Sequence, residues 1–224
     1  MFGRKAKNDI SILIPARSGS KRIPNKNIIN LHGKPLIHYV IEESLKVTNN
    51  VYVSTDGEEI KNVCHNYNVH VIDRPKELST DTSSTNSVIE HFLDNVDTEY
   101  FACVQATSPL LKAKHLKLGI EKIKESRYNS VISVYEDKQF CWDKIGNPMN
   151  FDLNNKPRTQ DFESWYVENG AFYLTSQLGF AEYKNLVHGK VGFVVMPKIE
   201  SVDIDNYEDL QIAHSFMGLT GVVR

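Results

Sequence analysis

The sequence has 224 residues, of which 41% are hydrophobic and 24% are charged, with a formal net charge of −2. This composition is typical of a globular chain long enough for one large α/β domain or two small ones. The near-neutral charge argues against a nucleic-acid or anionic-membrane surface, which needs a strong basic excess. Three widely spaced cysteines without a CxxC pair indicate reduced thiols. The N-terminal apolar run is too short for a signal peptide or membrane span, so we expect a cytoplasmic protein.

The first 135 residues alternate short apolar runs with amphipathic stretches. Runs rich in β-branched and aromatic residues predict buried strands at 10–15, 50–55, 69–73, 100–105 and 130–135. Apolar spacing near 3.6 predicts helices between them, at 35–47, 58–68, 87–96 and 115–126. This alternation predicts a Rossmann-like α/β fold, a mostly parallel sheet with helices on both faces. Ligands of such sheets collect at the carboxyl ends of the strands.

The alternation breaks at residues 136–165, which hold both tryptophans, two prolines, many Asn and Asp, and no helical period. We interpret this stretch, called the arm below, as an irregular or β-hairpin insertion within a single domain of residues 1–224. Exposed aromatic residues on such an arm would suit a subunit interface. The regular pattern resumes with strands at 171–176 and 192–197, an extended segment at 201–206 and a final helix at 207–217.

A basic loop, residues 14–27, follows the first predicted strand and reads IPARSGSKRIPNKN. It crowds Arg17, Lys21, Arg22 and Lys26 together, and like charges repel unless an anion lies among them. A loop in this position offers backbone N–H groups and cations to phosphate, and its small residues permit close approach. It is neither a Walker A sequence nor GxGxxG. Anion binding is the favoured interpretation, and a solvated basic turn is the alternative.

A second group of charges lies in the segment SVDID, residues 201–205. In an extended segment Asp203 and Asp205 point the same way, about 7 Å apart. Such a pair suits a hard divalent cation such as Mg²⁺, particularly one that also binds substrate phosphates. The alternative is that one carboxylate caps the helix beginning near Asn206. Together with a phosphate loop, the pair indicates Mg²⁺-assisted phosphoryl or nucleotidyl transfer.

Six motifs then occur in the order seen in the CMP-sialic acid synthetases, or N-acylneuraminate cytidylyltransferases: IPARSGSKRIPNKN, VSTDGEEI, RPKELSTDTSST, QATSPL, YVENGAFY and SVDID. The chain resembles this family over nearly its whole length. The resemblance implies a fold of the nucleotide-diphospho-sugar transferase type. It also implies an enzyme that joins CTP to a nine-carbon 2-keto sugar acid with Mg²⁺, giving the CMP-sugar and pyrophosphate. The arm resembles the family's dimerisation element, which implies a homodimer whose arm borders the partner's sugar pocket.

The resemblance also implies a role for individual residues. Contacts with the nucleotide are implied for Arg17, Ser20, Lys21, Lys26, Asn27, Arg74, Ser83 and Thr85. Contacts with the sugar are implied for Gln105, Arg158, Gln160, Asn169 and Tyr173, and metal binding for Asp203 and Asp205. Catalysis is assigned to Arg17 and Lys21, which would neutralise pyrophosphate, and to Asp205. No residue is an obvious general base, and a metal-bound carboxylate or hydroxide is expected in that role.

Differences between related families at individual positions restrict the sugars that we expect as substrates. Gln105 stands where the ketodeoxyoctonate (KDO) activating enzymes carry an acidic metal ligand, which argues against KDO. Residues 158–171 resemble the animal-type sialic acid enzymes, so N-acetylneuraminate is the expected sugar. Legionaminic or pseudaminic acid transferases remain alternatives, as does an inactive nucleotide-binding module. The chain departs from the family at Leu111, where Arg is common. Asp56 ends the second predicted strand and is assigned either to catalysis or to a turn.

Overall fold

The computed structural model describes residues 8–219. The strands in this part of the chain are β1 (Asn8–Pro15), β2 (Asn30–Leu31), β3 (Lys34–Pro35), β4 (Val51–Thr55), β5 (His70–Asp73), β6 (Thr98–Val104), β7 (Ser130–Asp137), β8 (Trp165–Ser176) and β9 (Val191–Val195). The α-helices are α1 (Leu36–Leu45), α2 (Glu58–Cys64), α3 (Thr85–Asn95), α4 (Ala113–Lys124), α5 (Gln177–Tyr183) and α6 (Tyr207–Leu219). Within this range no helix combines the length and apolar character needed to cross a bilayer.

Seven strands form one sheet in the order β5-β4-β1-β6-β8-β7-β9. β1 pairs in parallel with β4 and β6, and β4 with β5, while β8 runs antiparallel to both β6 and β7. β7 and β9 are parallel. The predicted mostly parallel α/β fold is confirmed. Chain order gave no indication that β8 inserts between β6 and β7.

Successive side chains of β1 point to opposite faces of the sheet and enter different cores. Ile12 and Ile14 pack in a cluster with residues of α1, α2 and α4, whereas Leu13 packs with Phe92 of α3 and Phe180 of α5. All five side chains are fully or almost fully buried. The apolar run at residues 12–15 therefore reflects a central strand covered by helices on both faces.

A third, smaller cluster joins the basic loop to the acidic segment. Ile23 of the loop and Ile204, which lies between the two aspartates, are buried together with Leu31, Leu36 and Ala213. Apolar contact between two strongly charged segments keeps their backbones close while their polar side chains remain outside. The cluster therefore positions the predicted phosphate and metal residues side by side.

Two local predictions need correction. Residues 201–206 form no strand; the segment is attached by the N–H of Ile204, which donates to the carbonyl of Thr107 at 2.9 Å. β8 is longer than the predicted 171–176, because its first half pairs with the end of β7 across a register shift near Gly170. Gly170 has φ of 70°, which favours glycine and suits a β-bulge.

The arm contains little regular structure between β7 and β8. An isolated antiparallel bridge joins Trp142 to Pro148, and a short 3-10 turn spans Thr159–Asp161. Phe140 packs against the rings of Phe151 and Phe162, with centroids 4.9 and 4.7 Å apart. The prediction of an irregular insertion fits this geometry, and its role in dimerisation stays a prediction.

The first part of the basic loop is fastened to the turn after β4. The backbone N–H and the hydroxyl of Ser18 donate to the two carboxylate oxygens of Asp56, at 2.9 and 2.8 Å. A Cβ on Gly57 would lie 2.9 Å from the Cβ of Ser18, so only glycine allows this approach. Burial favours a raised pKa for Asp56, but the bonds from Ser18 and the charge of Arg74 outweigh it and lower the pKa. Asp56 anchors the loop in this structure.

We predict that Asp56→Ala lowers the free energy of unfolding by about 1–3 kcal/mol at pH 7, because two hydrogen bonds to a carboxylate are lost. Ser18→Ala removes one of the two bonds and should cost less. Since the pKa of Asp56 is depressed in the folded chain, its contribution is complete above the usual value of 3.8 and declines as pH falls below it. Urea denaturation at several pH values measures the free energy of unfolding of both variants and the parent. A difference between parent and Asp56→Ala that grows on acidification would contradict the assignment.

Candidate active site

Four cations of the basic loop surround a cleft of about 270 Å³, called the loop cleft. Its lining consists of Arg17, Gly19, Ser20, Lys21, Arg22, Lys26, Asn27, Asp81 and Asp205. The sequence predicted that Arg17, Ser20, Lys21, Lys26 and Asn27 would lie together, and the structure brings them together. Asn27 supports the loop from within, because its side-chain amide donates to the carbonyl of Arg17 at 2.9 Å.

Two carboxylates lie among these cations. Asp81 reaches Arg17 at 2.7 Å and Lys21 at 2.9 Å, while Asp205 lies 3.0 Å from both Arg22 and Lys26. Burial favours a raised pKa for Asp205, but hydrogen bonding and charge from Lys26 and Arg22 lower it overall. The four cations are thus partly neutralised by carboxylates that come from two distant parts of the chain.

A second cleft, the inner cleft, lies beside the first and has a volume of about 190 Å³. Arg74, Ser83 and Thr85, which were expected to contact the nucleotide, all line it, together with Arg17, Asn27, Thr80, Gln105 and Thr107. The guanidinium of Arg74 is buried and donates to the carbonyl and hydroxyl of Ser54, at 2.6 and 3.1 Å. Burial lowers the pKa of Arg74 to about 10, against an opposing effect of Asp56. Arg74 therefore forms a fixed wall of this cleft.

The third and largest opening, the wide cleft, has a volume of about 560 Å³. Polar and charged groups in its lining include Lys26, Asn86, Gln105, Thr107, Glu168, Tyr173, Asn185, Asp203 and Asp205. The bulge at Gly170 brings both Glu168 and Tyr173 of β8 to this cleft, and the Tyr173 hydroxyl donates to the Glu168 carboxylate. Burial and this carboxylate raise the pKa of Tyr173. Gln105 and Tyr173, two of the residues expected to contact the sugar, thus line the same cleft.

The three clefts adjoin one another, because each pair of clefts shares lining residues. Arg17 and Asn27 line both the loop cleft and the inner cleft, and Lys26 and Asp205 line both the loop cleft and the wide cleft. Thr85, Gln105 and Thr107 are shared by the inner and wide clefts. A ligand with three parts could therefore place one part in each of these adjoining clefts.

Asp203 and Asp205 differ in their electrostatic surroundings. Burial by the surrounding protein raises the pKa of Asp203, helped by the charge of Asp205 and opposed by a hydrogen bond from Thr107. Neither carboxylate caps α6: the Asn206 side chain accepts the N–H groups of Glu208 and Asp209, at 2.8 and 3.0 Å. The alternative role as a helix cap is therefore wrong, and both aspartates line the wide cleft.

The donor set at this point fits a magnesium ion that shares its coordination with a ligand. Among residues 8–219 no group of three or more His, Cys, Asp or Glu side chains is arranged to hold a metal. Mg²⁺ commonly binds through one or two carboxylates together with water and substrate phosphates. Two neighbouring carboxylates beside a cationic loop satisfy that requirement, whereas an all-protein metal site would need more ligands.

Three of the residues expected to contact sugar lie away from the clefts. Asn169 is only 7% exposed and its amide donates to the hydroxyl of Ser201 at 2.9 Å, so it supports the acidic segment from behind. Arg158 and Gln160 lie on the 3-10 turn of the arm, and the guanidinium of Arg158 pairs with Asp161 at 2.6 Å. Neither lines any of the three clefts of its own chain. Their contact with a sugar stays a prediction.

The structure adds polar residues that sequence reasoning did not assign. Asp81 and Thr107 lie within motifs that were recognised, STDTSST and QATSPL, but nothing in their spacing indicated which way they face. Glu168 belongs to the same strand as Tyr173, and only the bulge at Gly170 brings both side chains to one cleft. Leu111, where a cation is common in the resembling family, is fully buried.

Comparison with known proteins gives the family. A family model described as Cytidylyltransferase matches residues 11–214. The chain is 38% identical over 220 residues to N-acylneuraminate cytidylyltransferase A of Danio rerio, covering 94% of this chain and 51% of the relative. It is 33% identical over 215 residues to pseudaminic acid cytidylyltransferase of Campylobacter jejuni, covering 90% and 93%. The chain spans about half the length of the curated N-acylneuraminate relatives it matches.

Solved structures agree on the fold. A CMP:2-keto-3-deoxy-manno-octonic acid synthetase complexed with CTP superposes with a TM-score of 0.70 at 15% identity, covering 95% of this chain and all of the other. At that identity the likeness shows the fold alone. The sequence match over residues 11–214 carries the assignment further. The chain therefore belongs to the cytidylyltransferase family.

Proposed function

We propose that this chain activates a nine-carbon 2-keto sugar acid with CTP, releasing pyrophosphate and giving the CMP-sugar. The observation that carries the proposal is that the loop, inner and wide clefts adjoin one another, each pair sharing lining residues. CTP and a sugar acid supply three parts of matching character: a polyanion, a compact nucleoside and a large polar ring. N-acetylneuraminate is the proposed sugar.

The loop cleft is suited to the triphosphate. Arg17 can donate two N–H groups to phosphate oxygens, and Lys21 and Lys26 add positive charges beside it. Lys26 is the most enclosed of the lysines there, and its ammonium also donates to the carbonyl of Ile204 at 2.8 Å. It would therefore hold the phosphates where the loop cleft meets the wide cleft, which is where the reacting phosphorus must lie.

The wide cleft is suited to the sugar acid. Its volume lies within the range of about 300–1,000 Å³ typical of small-molecule sites. Amide groups of Asn86, Gln105 and Asn185 offer both donors and acceptors to hydroxyls of a sugar ring. Gln105 is neutral, so its amide can donate a hydrogen bond to the sugar's carboxylate as well as to its hydroxyls.

The proposed reaction is direct attack of the sugar's anomeric 2-hydroxyl on the α-phosphorus. The hydroxyl oxygen forms a bond to the α-phosphorus, the bond between the α-phosphorus and the bridging oxygen breaks to release pyrophosphate, and the hydroxyl proton passes to water. Arg17 and Lys21 neutralise the charge that develops on the leaving pyrophosphate, and Lys26 orients the α-phosphate. Asp203 and Asp205 would hold Mg²⁺, which when bound supplies positive charge to the phosphate oxygens and lowers the pKa of a coordinated hydroxyl.

A pyrophosphate-release assay with CTP, Mg²⁺ and a panel of sugar acids tests the function. Release with N-acetylneuraminate, exceeding that with pseudaminate, legionaminate and KDO, is the expected result. Preference for pseudaminate would favour the alternative function of a pseudaminic acid cytidylyltransferase. The match to 93% of the Campylobacter jejuni relative supports that alternative. Absence of release with every sugar, from a folded preparation, would reject the proposal and leave a nucleotide-binding module.

The metal assignment predicts a separation between binding and turnover. Asp205→Asn or Asp203→Asn should lower turnover roughly a hundredfold or more, because transition-state charge stabilisation is lost, while CTP still binds the cationic loop. Calorimetry should also show that CTP affinity no longer rises with Mg²⁺ concentration. Asp94→Asn, an exposed change on α3, is the control with the same change in charge. A near-normal rate for Asp205→Asn would refute the assignment.

We further propose a cytoplasmic homodimer. All three cysteines are free thiols, Cys64 and Cys103 buried and Cys141 exposed, as suits a reducing compartment. An exposed apolar strip on one face of the sheet is formed by Tyr166 of β8 and by Phe193 and Val195 of β9, with the rings of Tyr166 and Phe193 5.5 Å apart. A second copy covering this strip would remove apolar surface from water and bring the partner's arm, with Arg158 and Gln160, towards the wide cleft.

Sedimentation velocity at micromolar concentration is expected to show a dimer. Phe193→Asp should shift it towards monomer, because a charge would be buried at the centre of the strip. The KM for sugar should then rise while CTP affinity is retained, since the partner's arm borders only the wide cleft. Leu178→Asp, at a residue 77% exposed on α5, serves as control. A monomeric parent protein would count against the dimer.

A further inference from the structure

Asp81 occupies a distinctive place in the loop cleft. One carboxylate oxygen accepts a hydrogen bond from Arg17 at 2.7 Å, and the other lies 2.9 Å from the ammonium of Lys21. These are the two cations that the proposed reaction assigns to the leaving pyrophosphate. A single carboxylate therefore spans the position where two phosphate oxygens would bind.

The ion pairs of Asp81 with Arg17 and Lys21 can be replaced by ion pairs with another anion. The side chain of Asp81 is 40% exposed and that of Lys21 is 74% exposed, so water and salt screen the pairs. Exposed ion pairs of this kind are weak, and a polyanion with several oxygens competes well with one carboxylate. The cations nonetheless hold the pKa of Asp81 below its usual range through hydrogen bonds from Lys21 and Arg17, so the group is charged at neutral pH.

The loop that carries Asp81 has its own internal support. The N–H of Thr80 donates to the Ser83 hydroxyl at 3.1 Å, and that hydroxyl donates to the carbonyl of Glu77 at 3.0 Å. Ser84 then caps α3 by accepting the N–H of Ser87 at 3.1 Å. None of these bonds uses the Asp81 side chain, so its carboxylate is available for a role other than shaping the loop.

We propose that Asp81 is an internal competitor for the pyrophosphate portion of the substrate: its carboxylate gives up Arg17 and Lys21 when the β- and γ-phosphates arrive, and regains them as pyrophosphate departs. The inference rests on the proposed function and adds a determinant of turnover to it. Re-forming the two ion pairs offsets part of the attraction between loop and product. Asp81 therefore lowers the affinity for pyrophosphate and speeds its release.

Two other roles for Asp81 predict different results. If the pairs only stabilised the fold, removing the carboxylate would leave phosphate affinity unchanged once the protein is folded. If Asp81 helped to hold a metal ion beside the phosphates, removing it would weaken binding of CTP in the presence of Mg²⁺. Competition alone predicts tighter binding, and only for ligands that reach Arg17 and Lys21.

The test is calorimetric titration of the parent, Asp81→Asn and Asp94→Asn with pyrophosphate, CTP and CMP, each with Mg²⁺. We expect Asp81→Asn to bind pyrophosphate and CTP roughly three- to tenfold more tightly, the scale set by loss of two exposed ion pairs. CMP, which lacks the β- and γ-phosphates, should change less than about twofold. Asp94, the control position, lies about 13 Å along the axis of α3 from Thr85. The affinity of Asp94→Asn for each of the three ligands should therefore match that of the parent.

A second measurement addresses turnover: pyrophosphate should inhibit Asp81→Asn at correspondingly lower concentrations than it inhibits the parent. Unchanged or weaker pyrophosphate binding by Asp81→Asn would overturn the inference while leaving the proposed function intact, provided the parent binds CTP. A parent that binds neither CTP nor pyrophosphate would overturn both. Asp81→Ser replaces Asp81→Asn if the latter does not fold, with the same expected direction.

Discussion

Mutual repulsion among four cations of the basic loop is the constraint on which the site depends. Arg17, Lys21, Arg22 and Lys26 line one small cleft, and a folded chain tolerates this only where negative charge lies among them. The chain provides Asp81 and Asp205 for that purpose. Because both carboxylates also serve the proposed chemistry, the same charges link stability of the site to binding and release of a polyanion.

Apolar packing is what makes this electrostatic arrangement possible. Ile23 and Ile204 share one buried cluster, so two segments 178 residues apart, at Lys26 and Ile204, come within hydrogen-bonding distance. The loop is further fixed by Asp56 and by the close approach of Gly57 to Ser18. Positions of the charges thus depend on buried contacts behind them, which are less sensitive to salt than the charges themselves.

Much of the fold could be predicted from the sequence, because continuous apolar runs and helical spacing are local signals. The position of the basic loop after β1 followed from the same signals. The antiparallel insertion of β8 could not be predicted, since periodicity carries no information about which strands are neighbours. The partnership of Asp81 with Arg17 joins residues 64 positions apart, and no local pattern indicates such a contact. SVDID alternates like a strand, yet it forms no strand and is attached through the N–H of Ile204, which donates to the carbonyl of Thr107.

The central claim is that the basic loop holds the triphosphate of CTP. Calorimetric titration of the parent chain with CTP and CMP, each with Mg²⁺ and at low and high salt, tests it most directly. The account predicts that CTP binds at least about tenfold more tightly than CMP at low salt, and that high salt narrows the gap, because the extra phosphates interact mainly through charge. Equal affinities for the two nucleotides, or no heat from CTP, would contradict it.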